Sequence, residues 1–168
     1  MNDIYKDLIL DFLHHLGKER NLSRNTISAY GRDLERFFTF LVDYDSTLVK
    51  NLNRIDRHTI RHFLGSEFER NDIRPGRNGK NITARTIARE LATIKSFFKY
   101  LVLVERIKSN PAIHVQTPKI EKQIPNFVQL NKIKKLMDLP NKEKRVLIRR
   151  RDYAILELFY ATGIRLSE

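Results

Sequence analysis

Apolar residues recur every three or four positions along most of the chain, the spacing that places them on one face of an α-helix. In the first such stretch, Ile4, Leu8, Phe12 and Leu16 stand four residues apart and predict a helix over 3–20. Similar spacing continues through most of the sequence. The pattern as a whole therefore predicts an all-α protein.

Three short polar side chains precede further helical stretches. Ser23, Asp56 and Thr83 belong to the residue types that accept hydrogen bonds from the first backbone N–H groups of a helix. They predict helices over 24–44, 57–70 and 84–107. Between the last two lies a stretch rich in proline and glycine, which predicts an exposed loop. Its basic residues are Arg74, Arg77 and Lys80.

A segment with regularly spaced prolines then divides the chain. Pro111, Pro118 and Pro125 recur every seven residues, and helical periodicity is lost. Proline removes a backbone donor and pushes the preceding residue into an extended conformation. We predict a helical domain over 1–110, a linker over 111–126 and a second domain over 127–168. Two further helices are predicted over 130–138 and 144–161.

Composition adds a polyanionic partner to this picture. The 168 residues are 41% hydrophobic, carry a net charge of +12 and include no cysteine. This excludes a disordered basic tail, disulfides and thiolate metal sites. Twelve of the basic residues, against four acidic ones, lie in 70–125, and nucleic acid is the commonest partner of so basic a fold. The sequence predicts neither a signal peptide nor a membrane span.

The second and fourth helices each oppose an apolar stripe with a polar, basic face. On such a face arginine can read guanine, asparagine can read adenine, and lysine or arginine can hold phosphates. An ordinary solvated surface explains any single one of these residues equally well. The predicted DNA-binding residues are Asn25, Ser28, Arg32 and Arg36 on the second helix and Arg85, Arg89, Ser96 and Lys99 on the fourth.

The aromatic and histidine residues predict no further chemistry. Single-strand binding needs aromatic rings on a polar face, whereas the rings here stand at core-spaced positions and are predicted to pack. His58 and His62 are four residues apart but lack a third ligand. We therefore predict no metal and no other cofactor. The rings assigned to packing are Phe37, Phe38, Phe97 and Phe98.

Three segments resemble the Xer-type tyrosine recombinases within the phage-integrase family. They are LSRNTISAYGRDLERFFTFL at 22–41, ARELATIKSFFKYLVLVERIKSNPA at 88–112 and RDYAILELFYATGIRLSE at 151–168. Their order and spacing match as well, and TGIRLSE is the most specific piece. The resemblance implies a four-helix core-binding bundle of the SAM-like type that clamps duplex DNA. A linker and the first helices of a catalytic domain come after it.

The resemblance also implies a chemistry. In this family a tyrosine attacks a DNA phosphodiester and forms a 3′-phosphotyrosyl link without a metal. Arg165 matches the first catalytic arginine, whose guanidinium suits phosphate oxygens, and Glu168 matches a supporting acidic residue. Gly163 is predicted to end the preceding helix in a left-handed conformation.

The rest of the family's catalytic set has no counterpart in the 168 residues. Tyr153 and Tyr160 belong to the helix before Arg165 and are predicted to pack, not to act as nucleophiles. The chain alone is therefore predicted to be inactive. We also expect 113–168 to pack poorly alone, because the apolar residues of its last helix would lose their partners. They are Ile155, Leu156, Leu158 and Phe159.

The implied partners are double-stranded DNA and either copies of this chain or a related recombinase, in a tetramer. Neither a membrane nor a small-molecule substrate is implied. The resemblance places the protein in the cytoplasm, associated with the nucleoid, in DNA recombination and integration, chromosome partition and cell division. Two alternatives stay open: a non-catalytic DNA-binding protein, such as a regulator or split integrase, and a helical module that binds an acidic protein.

Overall fold

Within the residues that the computed structural model describes, 4–72, 80–120 and 127–166, nearly all regular structure is helical. The all-α prediction is confirmed. The β-structure in these ranges amounts to two strands of two residues each, β1 (Asn71–Asp72) and β2 (Lys80–Asn81), paired antiparallel. They bracket the predicted basic loop, whose residues 73–79, Arg74 and Arg77 among them, lie outside the described ranges.

The chain divides into two compact units, Met1–Glu121 and Lys122–Glu168. This division lies inside the predicted linker. Within 4–72 and 80–120, the first unit contains four α-helices and a 3₁₀ turn at Leu52–Arg54. The helices are α1 (Ile4–Lys18), α2 (Arg24–Lys50), α3 (Arg57–Glu69) and α4 (Ala84–Leu103).

The predicted caps begin three of these helices. The side-chain oxygens of Ser23, Asp56 and Thr83 each accept a hydrogen bond from the backbone N–H three residues later, at N···O distances of 3.3, 2.8 and 3.4 Å. Each cap satisfies a backbone donor that has no partner inside the helix. The start positions of α2, α3 and α4 thus follow from local chemistry.

The ends of α2 and α4 differ from the prediction for local reasons. Asp45 breaks the helical geometry of α2, with φ −160° and ψ 100°, but its carboxylate accepts hydrogen bonds from the Thr47 N–H and hydroxyl at 2.9 and 2.6 Å. These bonds restart the helix, which continues to Lys50. They also lower the pKa of Asp45. The α4 helix ends early because Glu105 turns to a φ of 57°.

A cluster of phenylalanine rings forms the core of the first unit. The four rings assigned to packing, Phe37, Phe38, Phe97 and Phe98, are all 0% exposed, so that prediction is confirmed. Edge-to-face pairs link the helices; the Phe38 and Phe97 centroids are 5.7 Å apart at 86°. The α1 helix lies close to α2 at Gly31, where an added Cβ would lie 3.2 Å from a Leu13 methyl carbon.

The chain just after α4 packs into the core of the first unit. Ala112 and Val115 belong to its core cluster. Asn110 donates its side-chain amide to the Lys95 carbonyl at 3.1 Å, and the Lys95 ammonium donates to the Val115 carbonyl at 2.7 Å. The expectation of poor packing from 113 onward is therefore wrong for Val115, whose apolar side chain finds a place in that core.

In the part of the second unit that the structure describes, two helices are joined by a 3₁₀ turn at Leu139–Lys142. They are α5 (Leu130–Met137) and α6 (Val146–Thr162). Over 127–166, neither helix has a buried residue. Ile155 and Leu158 are 44% and 52% exposed, which confirms the expectation of loose packing for α6. Tyr153 and Tyr160 are exposed as well, so their predicted packing role is not seen within this chain.

Candidate DNA interface

The amino-terminal half of α2 carries a polar surface. Asn25, Ser28 and Arg32 are exposed and follow one another at intervals of about one helical turn, so they share one side of the helix. The Ser28 hydroxyl accepts a hydrogen bond from the Arg32 guanidinium at 2.8 Å. This contact holds Arg32 along its own helix. Arg36, one turn further on, is only partly exposed, with 31% of its side chain accessible.

The polar side of α4 divides into two parts. Arg85 and Lys99 are exposed, whereas Arg89 and Ser96 are half-buried. Ser96 and Lys99 line a cavity of about 260 Å³ together with Arg20 from the segment after α1. Sequence patterns had not singled out Arg20. The cavity shows that the last two turns of this face lie beside α1, while Arg89 reaches toward α2.

Asp33 of α2 joins the two polar surfaces. Its side chain is 1% exposed, and its Oδ1 accepts a hydrogen bond from Arg36 Nη2 at 2.6 Å. Its Oδ2 accepts hydrogen bonds from Arg89 Nη1 and, at 3.0 Å, from the Thr93 hydroxyl. Both carboxylate oxygens are thus used, and two of the three donors come from α4. A buried carboxylate needs such donors, because burial without them is very costly.

Two further carboxylates extend this group of charges. Glu90 of α4 is fully buried and accepts a hydrogen bond from Arg36 Nη2 at 2.8 Å. Glu67 of α3 accepts hydrogen bonds from Arg70 at 2.9 and 2.5 Å and lies 3.5 Å from Arg36 Nε. We call these side chains the ion cluster: Asp33, Arg36, Glu67, Arg70, Arg89, Glu90 and Thr93.

Glu90 is the member of the ion cluster whose carboxyl group has a raised pKa. Burial, reinforced by the negative charge of Glu67, raises the pKa of Glu90 from 4.5 to about 7, against the opposing effect of Arg36. Its Oε2 is buried and has no hydrogen-bond partner among the residues that the structure describes. The positive charge of the cluster therefore depends on whether Glu90 holds a proton near neutral pH.

The ion cluster brings together only two of the eight predicted DNA-binding residues, Arg36 and Arg89. Sequence reasoning missed its acids, although a signal exists: Asp33 and Glu90 each stand four residues before a core residue, Phe37 and Ile94, and so share its side of the helix. Acids at such positions of an amphipathic helix are rarely buried without a partner. The assignment of the eight residues to DNA contact stays a prediction.

The predicted catalytic arginine follows a helix end of the predicted kind. Gly163 adopts φ 64° and ψ 17°, and its N–H donates to the Phe159 carbonyl at 2.9 Å. A left-handed residue at this position is a common way to close a helix, so this prediction is confirmed. Arg165 lies two residues later and is exposed. Glu168 lies outside the described residues.

The described ranges hold no candidate for two other kinds of site. No group of three or more histidine or acidic side chains there could hold a metal ion. No helix in those ranges is long and apolar enough to cross a membrane. His62 instead packs its ring near Tyr44, with centroids 5.6 Å apart.

Comparison with known proteins identifies tyrosine recombinases as relatives, and the similarity covers nearly the whole chain. Tyrosine recombinase XerD of Listeria monocytogenes serotype 4b is 38% identical over 162 residues, which cover 96% of this chain and 50% of that protein. Tyrosine recombinase XerC of Thermodesulfovibrio yellowstonii is 36% identical over 160 residues, covering 95% and 47%. The chain thus spans about half the length of the curated relatives it matches.

The family comparison agrees with the fold. The pattern described as the phage integrase N-terminal SAM-like domain matches residues 9–104, which is more than half of the chain. These residues run from α1 through α4 and include every member of the ion cluster. The chain belongs to the phage integrase family.

Proposed function

We propose that this chain supplies the duplex-gripping part and the first catalytic arginine of a site-specific tyrosine recombinase. The observation that carries the proposal is the junction of two polar helix surfaces by Asp33, which accepts hydrogen bonds from Arg36 on α2 and Arg89 on α4. The names of the relatives, tyrosine recombinases XerD and XerC, support the recombinase part.

The two surfaces suit the major groove of duplex DNA, which admits an α-helix. Asn25, Arg32 and Arg85 lie in the amino-terminal halves of their helices, where base edges and phosphates are commonly contacted. Lys99 suits a phosphate as a point charge. The concentration of basic residues after position 70 adds the sequence-independent attraction on which such complexes depend.

The catalytic part of the proposal concerns Arg165 and Glu168. In the reaction, a tyrosine oxygen bonds to the DNA phosphorus, the 5′-oxygen of the next nucleotide leaves as a hydroxyl, and religation reverses the step. Arg165 would stabilise charge on the phosphate oxygens, an effect on the order of 3 kcal/mol for one well-placed donor. Glu168 would orient its neighbours. The nucleophilic tyrosine has no counterpart among the 168 residues, so we propose that this chain alone neither cleaves nor joins DNA.

The proposed arrangement along the chain is a DNA-binding domain over 1–110, a linker over 111–126 and the start of a catalytic domain over 127–168. The intact recombinase would act on two duplexes as a tetramer of itself or with a related recombinase. Its place would be the cytoplasm, on chromosomal DNA. The packed segment through Val115 would fix the first residues of the linker to the DNA-binding domain.

A binding assay with substitutions on the polar surfaces tests the proposal. Arg85→Ala should weaken duplex binding by the full chain about tenfold, as should Arg32→Ala, because each removes a charged contact. Lys50→Ala is the matched control, since Lys50 is an exposed cation at the opposite end of α2. Fluorescence anisotropy of a labelled duplex measures all of them. Equal losses for Lys50→Ala and Arg85→Ala would show that general charge, not these surfaces, binds the DNA.

A further inference from the structure

Asp33 is placed where it can control arginines on both polar helices. It is nearly inaccessible, yet it binds donors from both polar helices: Arg36 on its own helix, and Arg89 and the buried Thr93 on α4. The three contacts join residues that are up to 60 positions apart in the sequence. An acid that served only to cap a helix would need no such partners.

The exposure of the two arginines shows what Asp33 leaves accessible. The Arg36 side chain is 31% exposed and the Arg89 side chain 40%. An arginine without such an anchor samples many rotamers on a surface and loses side-chain entropy when a ligand fixes it. When a buried carboxylate binds the arginine, this side-chain entropy is lost on folding and not on DNA binding. The guanidinium is then already oriented when DNA binds.

Arg36 and Arg89 bind different oxygens of Asp33, Oδ1 and Oδ2. Arg36 also donates to Glu90 at 2.8 Å and lies 3.5 Å from Glu67, so three carboxylates hold it. Arg89 pairs with Asp33, and its distance to Glu90 is 4.0 Å. Thr93, one turn after Arg89, donates to the same Asp33 oxygen and fixes its direction.

We propose that Asp33 is a positioning residue that holds Arg89 in the orientation in which it contacts DNA. The inference rests on the proposed function, because it takes the surfaces of α2 and α4 to be the DNA-binding ones. It has a definite rival: Asp33 could merely cancel the charge of Arg89. In that case removing the carboxylate would strengthen DNA binding, whereas loss of positioning would weaken it.

The test is a double-mutant cycle on duplex affinity with the full chain. Asp33→Asn keeps the size and removes the charge; Arg89→Ala removes the group that Asp33 positions. Each single variant should weaken binding about tenfold, and the double variant should be no weaker than Arg89→Ala alone, because both changes remove the same contact. The log–log salt slope should fall by about 1 in each of them, a readout that a purely structural role would not move.

Asp43→Asn is the matched control, because it removes an exposed acid from the same helix. It should leave the salt slope unchanged. Melting temperatures show which variants are folded under the assay conditions. If Asp33→Asn unfolds, Thr93→Val replaces it in the cycle, because it keeps the ion pair and removes only the orienting hydroxyl. We then expect Thr93→Val to weaken duplex binding less than about tenfold, and to have no effect when Arg89→Ala is already present.

Three results separate the inference from the function on which it rests. Unchanged or tighter binding by folded Asp33→Asn would overturn the positioning role and leave the DNA-binding function standing. Additive losses in the cycle would do the same. Failure of the unaltered chain to bind duplex DNA at all would overturn both.

Discussion

At the scale of single residues, the Glu90 carboxyl ties the stability of the first unit to pH. Its pKa is raised from 4.5 to about 7 by burial and by the neighbouring Glu67. Between these values the folded protein holds a proton that the unfolded chain would release. Rising pH therefore favours unfolding, and the stabilisation present below pH 4.5 is lost as pH passes through about 7.

Glu90→Gln should remove this pH dependence. Between about pH 5 and 8 the unaltered chain should lose on the order of 1–3 kcal/mol of unfolding free energy through this group. The neutral amide should lose far less, because it does not titrate. Thermal melts followed by circular dichroism at the two pH values measure the difference. Glu69→Gln, at an exposed acid on α3, is the control, and its stability should decline between the two pH values as that of the unaltered chain does. An equal decline in Glu90→Gln would show that Glu90 is not the titrating group.

At the scale of elements, the helix starts depend on side chains that the sequence displays directly. Ser23 begins α2 by accepting a hydrogen bond from the Thr26 N–H. Ser23→Ala should lower the unfolding free energy of the first unit by about 1 kcal/mol, the usual cost of a lost cap. Chemical denaturation measures this change in unfolding free energy. Ser109→Ala, at an exposed site outside the helices, should cost much less, and equal costs would rule out a capping role.

Starts and apolar faces were predictable because they depend on residues a few positions apart. The continuation of α2 past Tyr44 was not, since it depends on Asp45 and Thr47 restarting a broken helix. The ion cluster was even harder to predict from the sequence. Asp33 and Arg89 are 56 positions apart, and only the packing of α2 on α4 makes them partners. Patterns within one helix identified their polar surroundings but not the carboxylates between them.

At the scale of the whole molecule, the two units differ in how well the chain itself packs them. The first has a continuous core of aromatic and aliphatic residues, whereas α5 and α6 have no buried residue over 127–166. Apolar surface left accessible in this way normally finds a partner. The proposed arrangement, in which Arg165 belongs to a larger catalytic domain, gives the apolar side of α6 such a partner.

No tyrosine among the 168 residues matches the nucleophile of the family, so we predict that the chain alone does not attack DNA. Incubated with a suicide DNA substrate, which traps the phosphotyrosyl link, the 168-residue chain should form no covalent adduct. Denaturing gel electrophoresis detects the adduct, and an intact family member serves as the positive control. An adduct from this chain would contradict the proposal, and loss of it in Tyr153→Phe or Tyr160→Phe would identify the attacking residue.

The salt dependence of binding shows whether the first unit binds duplex DNA through its basic surfaces. Each phosphate contact releases condensed counterions, so contacts to about six phosphates should give a slope of about −5 for log affinity against log salt. The measurement is a titration of a labelled duplex with the full chain across a range of salt concentrations. We expect that steep fall in affinity; an affinity that does not change with salt would show that the first unit does not bind DNA through phosphate contacts.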